Sequence, residues 1–334
     1  MAKIDNLKDF FKILADVIRE KLDSNDKYAP NDMPAIIEGI SKESSGTFNQ
    51  DLVVLTGNGI NEIKRINVFQ GVTDISKDAF SLCKSLEIVS LPETLITIGE
   101  NAFYECSKLN QTRGNNDNTF IIPESVQKID KAAFYNCTSL ENINFKCKDL
   151  TVGLNSFSGT KWLNNQSDGA VYSGPALLMY KGGIQDSDVD FVIKDGTTSL
   201  TESCLRDKSR LRTLKIPSSV KYIGVSAVSN CSDIKEITVY GDVYLSIFAF
   251  SLNPALEKVT INNLKECGVG ALRGCSSLTK LILYNDDPFL FQNDTFNENF
   301  HIYAKPEMIE KWKKESNWSV AKKYVLPLTE LENA

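Results

Sequence analysis

The chain has 334 residues, 42% apolar and 24% charged, the balance of a polypeptide that buries a core and not of a disordered one. Its net charge of -6 leaves no broad basic surface, only the lysine pairs Lys313-Lys314 and Lys322-Lys323, so nucleic acid is not an expected partner. Uninterrupted apolar stretches stay shorter than the roughly 18 residues of a membrane span, and acids punctuate the first turns of the chain, so neither membrane insertion nor a cleaved export leader is expected.

In chain order, residues 1–45 read as a helical module with a linker. Leu7, Phe10, Phe11, Leu14, Val17 and Ile18 follow a 3.6-residue period and predict an amphipathic helix. A second apolar group, Met33, Ile36, Ile37 and Ile40, follows a polar turn, with Asn31 or Asp32 as cap and Pro34 in the first turn. Gly39 and the stretch SKESSG then end it. The face formed by Leu7, Phe11, Leu14 and Ile18 is more apolar than a short helix leaves in water, so an assembly role is expected for it. Residues 46–70 read as entry strands or an N-terminal cap.

From residue 71 to 304 the chain repeats itself. The second member of an apolar pair recurs at Phe80, Phe103, Phe134, Phe157, Leu205, Val228, Phe250, Leu272 and Phe296, mostly in steps of 22 to 24 residues. Two steps are longer: one holds the polar run at 112–118, the other an insertion over 158–195. A cysteine falls three residues after the pair at Cys83, Cys106, Cys137, Cys231 and Cys275. These spacings contain no CxxC, and the chain has one histidine, so buried, reduced thiols are expected in place of a metal site or a disulfide framework. Next comes Leu-x-x-apolar-x-apolar, as in Leu86, Val89 and Leu91 or Leu211, Leu214 and Ile216, whose alternation predicts a short half-buried strand. Pro92, Pro123 and Pro217 end such strands. Val126-x-x-Ile129 and Val220-x-x-Ile223 supply a second apolar pair per unit. No unit covers its apolar face alone, so the units must stack.

The pattern IPxSVxxIGxxAFxxCxSLxxIxIP resembles the BspA-like, or Treponema-type, leucine-rich repeat family. The resemblance implies an α/β repeat fold: a leucine-rich-repeat solenoid with short strands and short helical or turn segments, preceded here by the small α-helical N-terminal module. It also makes the stretch from Ser158 a hairpin insertion and residues 305–334 a C-terminal cap, in which Met308, Ile309, Trp312 and Trp318 cover the last repeat. Ser203-Cys204-Leu205, with Cys in place of Ala, and Asn253, where a Cys is missing, depart from the pattern. The N-terminal residues Leu7, Phe10, Ala15, Asp16, Ile18, Arg19, Lys21, Asp32, Pro34, Ile37 and Ile40 match a second motif, similar to one in tail-fibre and other virion proteins of phages of gut bacteria.

Catalytic patterns are absent. His301 sits in an apolar alternating strand without triad or metal partners, and Asp286-Asp287 read as turn residues before a proline. The expectation is therefore a non-enzymatic protein with no cofactor and no metal. The two resemblances together imply a virion-associated fibre or decoration protein, assembled in the host cytoplasm and held to other virion proteins by its helical module as a homo-oligomer. A host-surface protein or glycan is the partner expected for the repeats. A bacterial cell-surface adhesin and a purely structural virion subunit are the alternatives. Within the array, binding is expected at the outward strand positions Asn144, Lys215, Thr238 and Thr260, ahead of the loops at 112–118 and 166–173.

Overall fold

In a computed structural model, residues 53–56, 64–68, 70–112, 118–287, 290–291, 300–314 and 325–333 are described. The chain coils into stacked rungs, each with two short strands and one tight turn. The leucine-signature strands form a parallel ladder broken into three sheets: Arg65–Val68 pairs with Ile88–Ser90 and Ile88–Ser90 with Gln111–Thr112 in the first, and Thr119–Ile122 with Asn142–Phe145 in the second. Further along, Asp190–Val192, Thr213–Ile216, Glu236–Leu245, Lys258–Cys267, Lys280–Leu283 and His301–Ala304 pair in register as part of the third. The second apolar pair of each unit builds a parallel ladder of its own, through Asp74–Ile75, Thr97–Ile98, Lys128–Ile129 and Thr151–Val152 in one half and Ser199–Leu200 and Tyr222–Ile223 in the other. Val53–Thr56 enters antiparallel to Arg65–Val68.

The third side of each rung is the Ala-Phe turn, and of the expected helical or turn segments it is the turn that the structure has. The turns are not helices. Every second N–H leaves the rung and donates to a carbonyl of the next: Phe80 to Ala102 at 2.8 Å, Phe103 to Ala133 at 2.7 Å, Phe134 to Ser156 at 2.8 Å, Phe250 to Ala271 at 2.8 Å. The intervening N–H groups close back three residues within the turn, as Cys83 does to Phe80 at 3.2 Å. That pattern demands a left-handed residue on each side of the central one. Asp78 and Leu82 flank Phe80, Asn101 and Glu105 flank Phe103, and Phe248 and Leu252 flank Phe250, all at φ between 54° and 64°. Each costs about 1–2 kcal/mol for a residue with a Cβ, a cost offset by the bonds between rungs. In the turn around Leu272 both flanking positions are glycine, Gly270 and Gly274.

The central side chains fill the middle of the stack. Phe80, Phe103, Phe134 and Phe157 lie ring on ring at 5.2–5.4 Å between centroids, and Phe157 passes to Trp162 at 5.2 Å. A helix of one turn, Lys161–Asn164, carries Trp162, and the Thr160 hydroxyl caps it by accepting from Leu163 N–H at 3.1 Å. Beyond it the expected hairpin is present, Gly169–Ser173 against Ala176–Lys181. Its second strand divides the molecule. Ala176 and Leu178 belong to the core of the first half, while Leu177 and Tyr180 belong to the core of the second. The strand is buried on both faces because it takes the place of a rung: Tyr180 N–H donates to Cys204 carbonyl at 2.8 Å, as a turn would.

All eight cysteines are buried and unbridged. Those in turn positions reach back one rung: Cys106 donates to the carbonyl of Phe80, Cys137 to Phe103, Cys231 to Leu205 and Cys275 to Phe250, at 3.0–3.1 Å. Asn253 replaces the thiol at one turn and does more. Its amide donates to the carbonyls of Val228 and Phe250 and its oxygen accepts the Cys231 N–H, each at 2.8 Å. Cys204, in place of alanine, is also buried. At the C-terminus the helix Pro306–Lys314 buries Met308, Ile309 and Trp312 against the last core residues. Asp286 and Asp287 tether it through Lys305 and Lys311, the latter pair at 2.8 Å, so these acids are anchors of the cap as well as turn residues. The N-terminal module, Phe296 and Trp318 fall outside the described residues.

A steric alternation runs along the stack at the residue after each second strand: Ser76, Gly99, Asp130 and Gly153 in one half, Thr201, Gly224, Ser246 and Gly268 in the other. A Cβ on Gly224 would lie 2.8 Å from the Glu202 nitrogen and 2.9 Å from the Leu200 carbonyl; on Gly268 it would lie 2.6 Å from the Ser246 carbonyl carbon. Backbone meets backbone there, and only every second rung has room for a side chain. Gly224→Ala should therefore lower stability by about 2 kcal/mol or more in urea unfolding, whereas Ser246→Gly should cost about 1 kcal/mol or less.

The thiols give a second expectation. Burial pushes those of Cys83, Cys147 and Cys231 up to about 11 and raises Cys106, Cys137 and Cys204 as well. An unfolded thiol ionises near 8.5. The folded chain thus keeps protons that the unfolded chain gives up, so stability is fully present below pH 8.5 and declines as pH rises toward 11. Ellman titration at pH 8 should find few reactive thiols in the native chain and eight after unfolding, and the urea midpoint should fall steadily above pH 9.

Candidate binding surface

Along the first ladder, side chains alternate between the core and the outer face. In Thr213–Ile216 the inward residues are Leu214 and Ile216; in the next rungs they are Ile237 and Val239, then Val259 and Ile261, all at 1% exposure or less. The residues between them point outward. Lys215 pairs with Thr238 and Thr238 with Thr260, so three of the four expected binding residues form one column across three adjacent rungs. Val192 extends the column by one rung in the other direction, opposite Lys215. Asn144 is exposed on an equivalent position, but its strand pairs with Thr119–Ile122 in the first half, on the far side of the inserted hairpin. The structure does not bring it together with the other three.

Beside this column runs a second one of charged and hydroxyl groups. The Arg212 guanidinium holds Asp190 through both carboxylate oxygens, and Thr213 Oγ1 donates to the same carboxylate at 2.9 Å. These hydrogen bonds keep the Asp190 carboxyl below its usual range and raise Arg212. One rung on, Lys258 meets Glu236 at 2.9 Å, and Thr238 Oγ1 lies 3.5 Å from that glutamate. Exposed pairs of this kind add little stability, roughly 0.2–1 kcal/mol each. Their effect is to neutralise the charges neighbouring the column, leaving Lys215 as its cation.

The column closes toward the C-terminus. Ile282 and Tyr303 stand at the next outward positions in register with Thr260, yet both are buried, at 4% and 2%. Val325–Pro327 pairs beyond Tyr303, and the turn Leu328–Asn333 packs against the strand that carries it. Alternation alone marks both residues as solvent-facing; the returning C-terminal segment could be found only in three dimensions. The outer face is thus a shallow strip open from Val192 to Thr260.

Other sequence expectations land less simply. Residues 113–117 of the first insertion lie outside the described residues, as do Leu7, Phe11, Leu14 and Ile18. Residues 169–173 form the first strand of the hairpin, with Val171 and Ser173 buried. His301 is half-buried beside Tyr303, with ring centroids 6.3 Å apart. Among the described residues no group of three or more His, Cys, Asp or Glu side chains is arranged to hold a metal ion, and no helix is long and apolar enough to cross a membrane.

Residues 58–167 and 187–302 match, in six copies, the model of the BspA type leucine rich repeat region. The break between the two stretches falls at the hairpin. Among solved structures, the chain is similar to a leucine-rich repeat protein from Bacteroides ovatus, with 24% identity over 72% of this chain and 57% of that one and a TM-score of 0.33. A leucine rich cell surface protein from Faecalibacterium prausnitzii matches with 21% identity over 70% and 80% of the two chains and a TM-score of 0.31. The pneumococcal vaccine antigen PcpA matches with 19% identity over 77% and 70% and a TM-score of 0.35. The chain therefore spans a little over half the length of the first of these. No curated protein matches the sequence significantly.

Proposed function

The chain belongs to the BspA-type leucine-rich repeat family, and from that premise we propose that it is a non-enzymatic binding protein of a bacterial cell surface, engaging a protein or glycan through its repeat array. One observation carries the reading: Lys215, Thr238 and Thr260 align across three rungs while every inward neighbour is sealed in the core. Such a face changes its chemistry without touching the packing that holds the fold. A flat strip of small and charged groups has no cavity to enclose a substrate. It suits a partner that lies along it and gathers many weak contacts.

The family match begins at residue 58 and does not reach the motif that resembles phage virion proteins. The cell-surface reading therefore stands ahead of the virion one.

Lys215→Glu combined with Thr260→Glu tests the face; the two positions are separated by a rung, so the new charges do not repel at close range. The pair should leave the thermal midpoint within a degree or two. Retention of the purified full chain on glycan arrays and on panels of host extracellular-matrix proteins should fall at least tenfold for whichever ligand the unaltered chain captures. Capture that survives the double substitution would remove the face from the account. Recovery of the polypeptide in purified phage particles, and not on intact cells, would replace the cell-surface reading.

A further inference from the structure

The two halves of the stack differ at one corner, where the second strand runs into the turn. In the first half, the position three residues before the central side chain is charged on three rungs, Lys77, Glu100 and Lys131, with Lys77 and Glu100 paired at 2.9 Å, and holds Leu154 on the fourth. In the second half the same position holds Glu202 and then, on three successive rungs, Val225, Ile247 and Val269, exposed at 38%, 47% and 46%. Ser226 N–H donates to Ile247 carbonyl at 3.2 Å and Phe248 N–H to Val269 carbonyl at 3.1 Å, so the three side chains stand one above another on successive rungs. Next to them, Tyr222 and Tyr244 pair in register and stack at 5.5 Å, both 43% exposed. The first-half residues at that place are Asp74, Thr97, Lys128 and Thr151.

Five large apolar or aromatic side chains thus share one surface, where a soluble chain ordinarily exposes such groups singly. Of the charges around it, Lys221 holds Asp149 at 2.9 Å and Lys265 holds Asp242 at 3.2 Å, while Glu202 borders Val225 on the preceding rung and Glu266 lies in register with Tyr244. The patch is apolar with acidic edges, so it suits an amphipathic occupant that lays its apolar face on it.

We propose that the occupant is this protein's own N-terminal segment, residues 4–21, lying along the stack with the face of Leu7, Phe11, Leu14 and Ile18 on Val225, Ile247 and Val269. Three quantities agree. Steps of four, three and four residues along a helix advance about 5.5 Å on average at 1.5 Å per residue, and rungs are spaced about 4.8 Å. A helix parallel to the stack consequently sets one apolar residue near each rung over the length of the patch. The chain from residue 22 to Val53 reaches roughly 100 Å when extended, well beyond the roughly 40 Å that separates the entry strand from the patch at that rung spacing. Tethering keeps the segment at an effective concentration near millimolar, so a modest contact suffices. The docking is independent of the outer strip, and either can fail without the other.

Phe11→Cys with Ile247→Cys in the full chain tests it, against Phe11→Cys with Lys77→Cys, which occupies the same position on a first-half rung. The native thiols are buried and compete little. Mild oxidation followed by peptide mapping should join Cys at 11 to Cys at 247 at least tenfold faster than to Cys at 77. A bond within one chain places the segment on its own patch and supports the assignment, whereas a bond between two chains places it on a second copy and overturns the tethered docking. Equal rates, or faster joining to position 77, would overturn it. As a second readout, Ile247→Asp, at an exposed position, should leave the urea midpoint near that of the unaltered chain while increasing the binding of a dye that reports apolar surface, and unchanged dye binding would also count against the docking.

Discussion

The side-chain hydrogen bond that crosses from a turn to the carbonyl at the centre of the preceding turn, made at five of the described turns, is the constraint on which the rest of the stack depends. The central carbonyl already accepts an N–H of its own turn, and it lies in a core from which water is excluded. A donor in the next rung must be short enough to enter the bend and polar enough to satisfy the oxygen. Cysteine meets both conditions at Cys106, Cys137, Cys231 and Cys275, and asparagine meets them at Asn253. With that contact in place the turns approach closely enough for their backbones to bond directly, which holds the paired left-handed residues in a conformation that the isolated chain would avoid.

Close approach has further consequences. Side chains at the residue after the second strand fit only on alternate rungs, which sets the order of Ser76, Gly99, Asp130 and Gly153 and of Thr201, Gly224, Ser246 and Gly268. The inserted hairpin strand keeps the stack continuous by supplying Tyr180 N–H to the next turn while dividing the apolar interior in two. The halves then diverge at the surface: the corner that carries Lys77 and Glu100 in one carries Ile247 and Val269 in the other.

Much of this was legible in the residues. The recurrence of Phe and Cys identified the core and the thiol ladder, strand alternation identified the outward column of Lys215, Thr238 and Thr260, and Met308, Ile309 and Trp312 identified the cap. The turn geometry was not legible, because its left-handed positions hold Asp78, Leu82, Phe248 and Leu252 as well as the tell-tale Gly270 and Gly274. Asn144 shares the spacing of the other outward residues yet lies across the hairpin, and Ile282 and Tyr303 share it yet are covered. Spacing reports which way a side chain points along its own strand; it does not report what else comes to lie there. The glycine alternation was present in the sequence at a period of two repeats and would have been found by comparing every second unit.

Function follows from the same economy of parts. A core closed by short internal donors leaves the outer face free of structural duty, and a family of such stacks varies that face at little cost to the fold. The most direct test of the account is equilibrium urea unfolding of Asn253→Ala beside Asn253→Cys. Alanine removes three buried hydrogen bonds and should cost about 3 kcal/mol, whereas a thiol restores the bond to the Val228 carbonyl and should recover at least about 1 kcal/mol of it. Equal destabilisation by the two substitutions, or a loss below about 0.5 kcal/mol for alanine, would show that the cross-rung side-chain bond does not hold the stack.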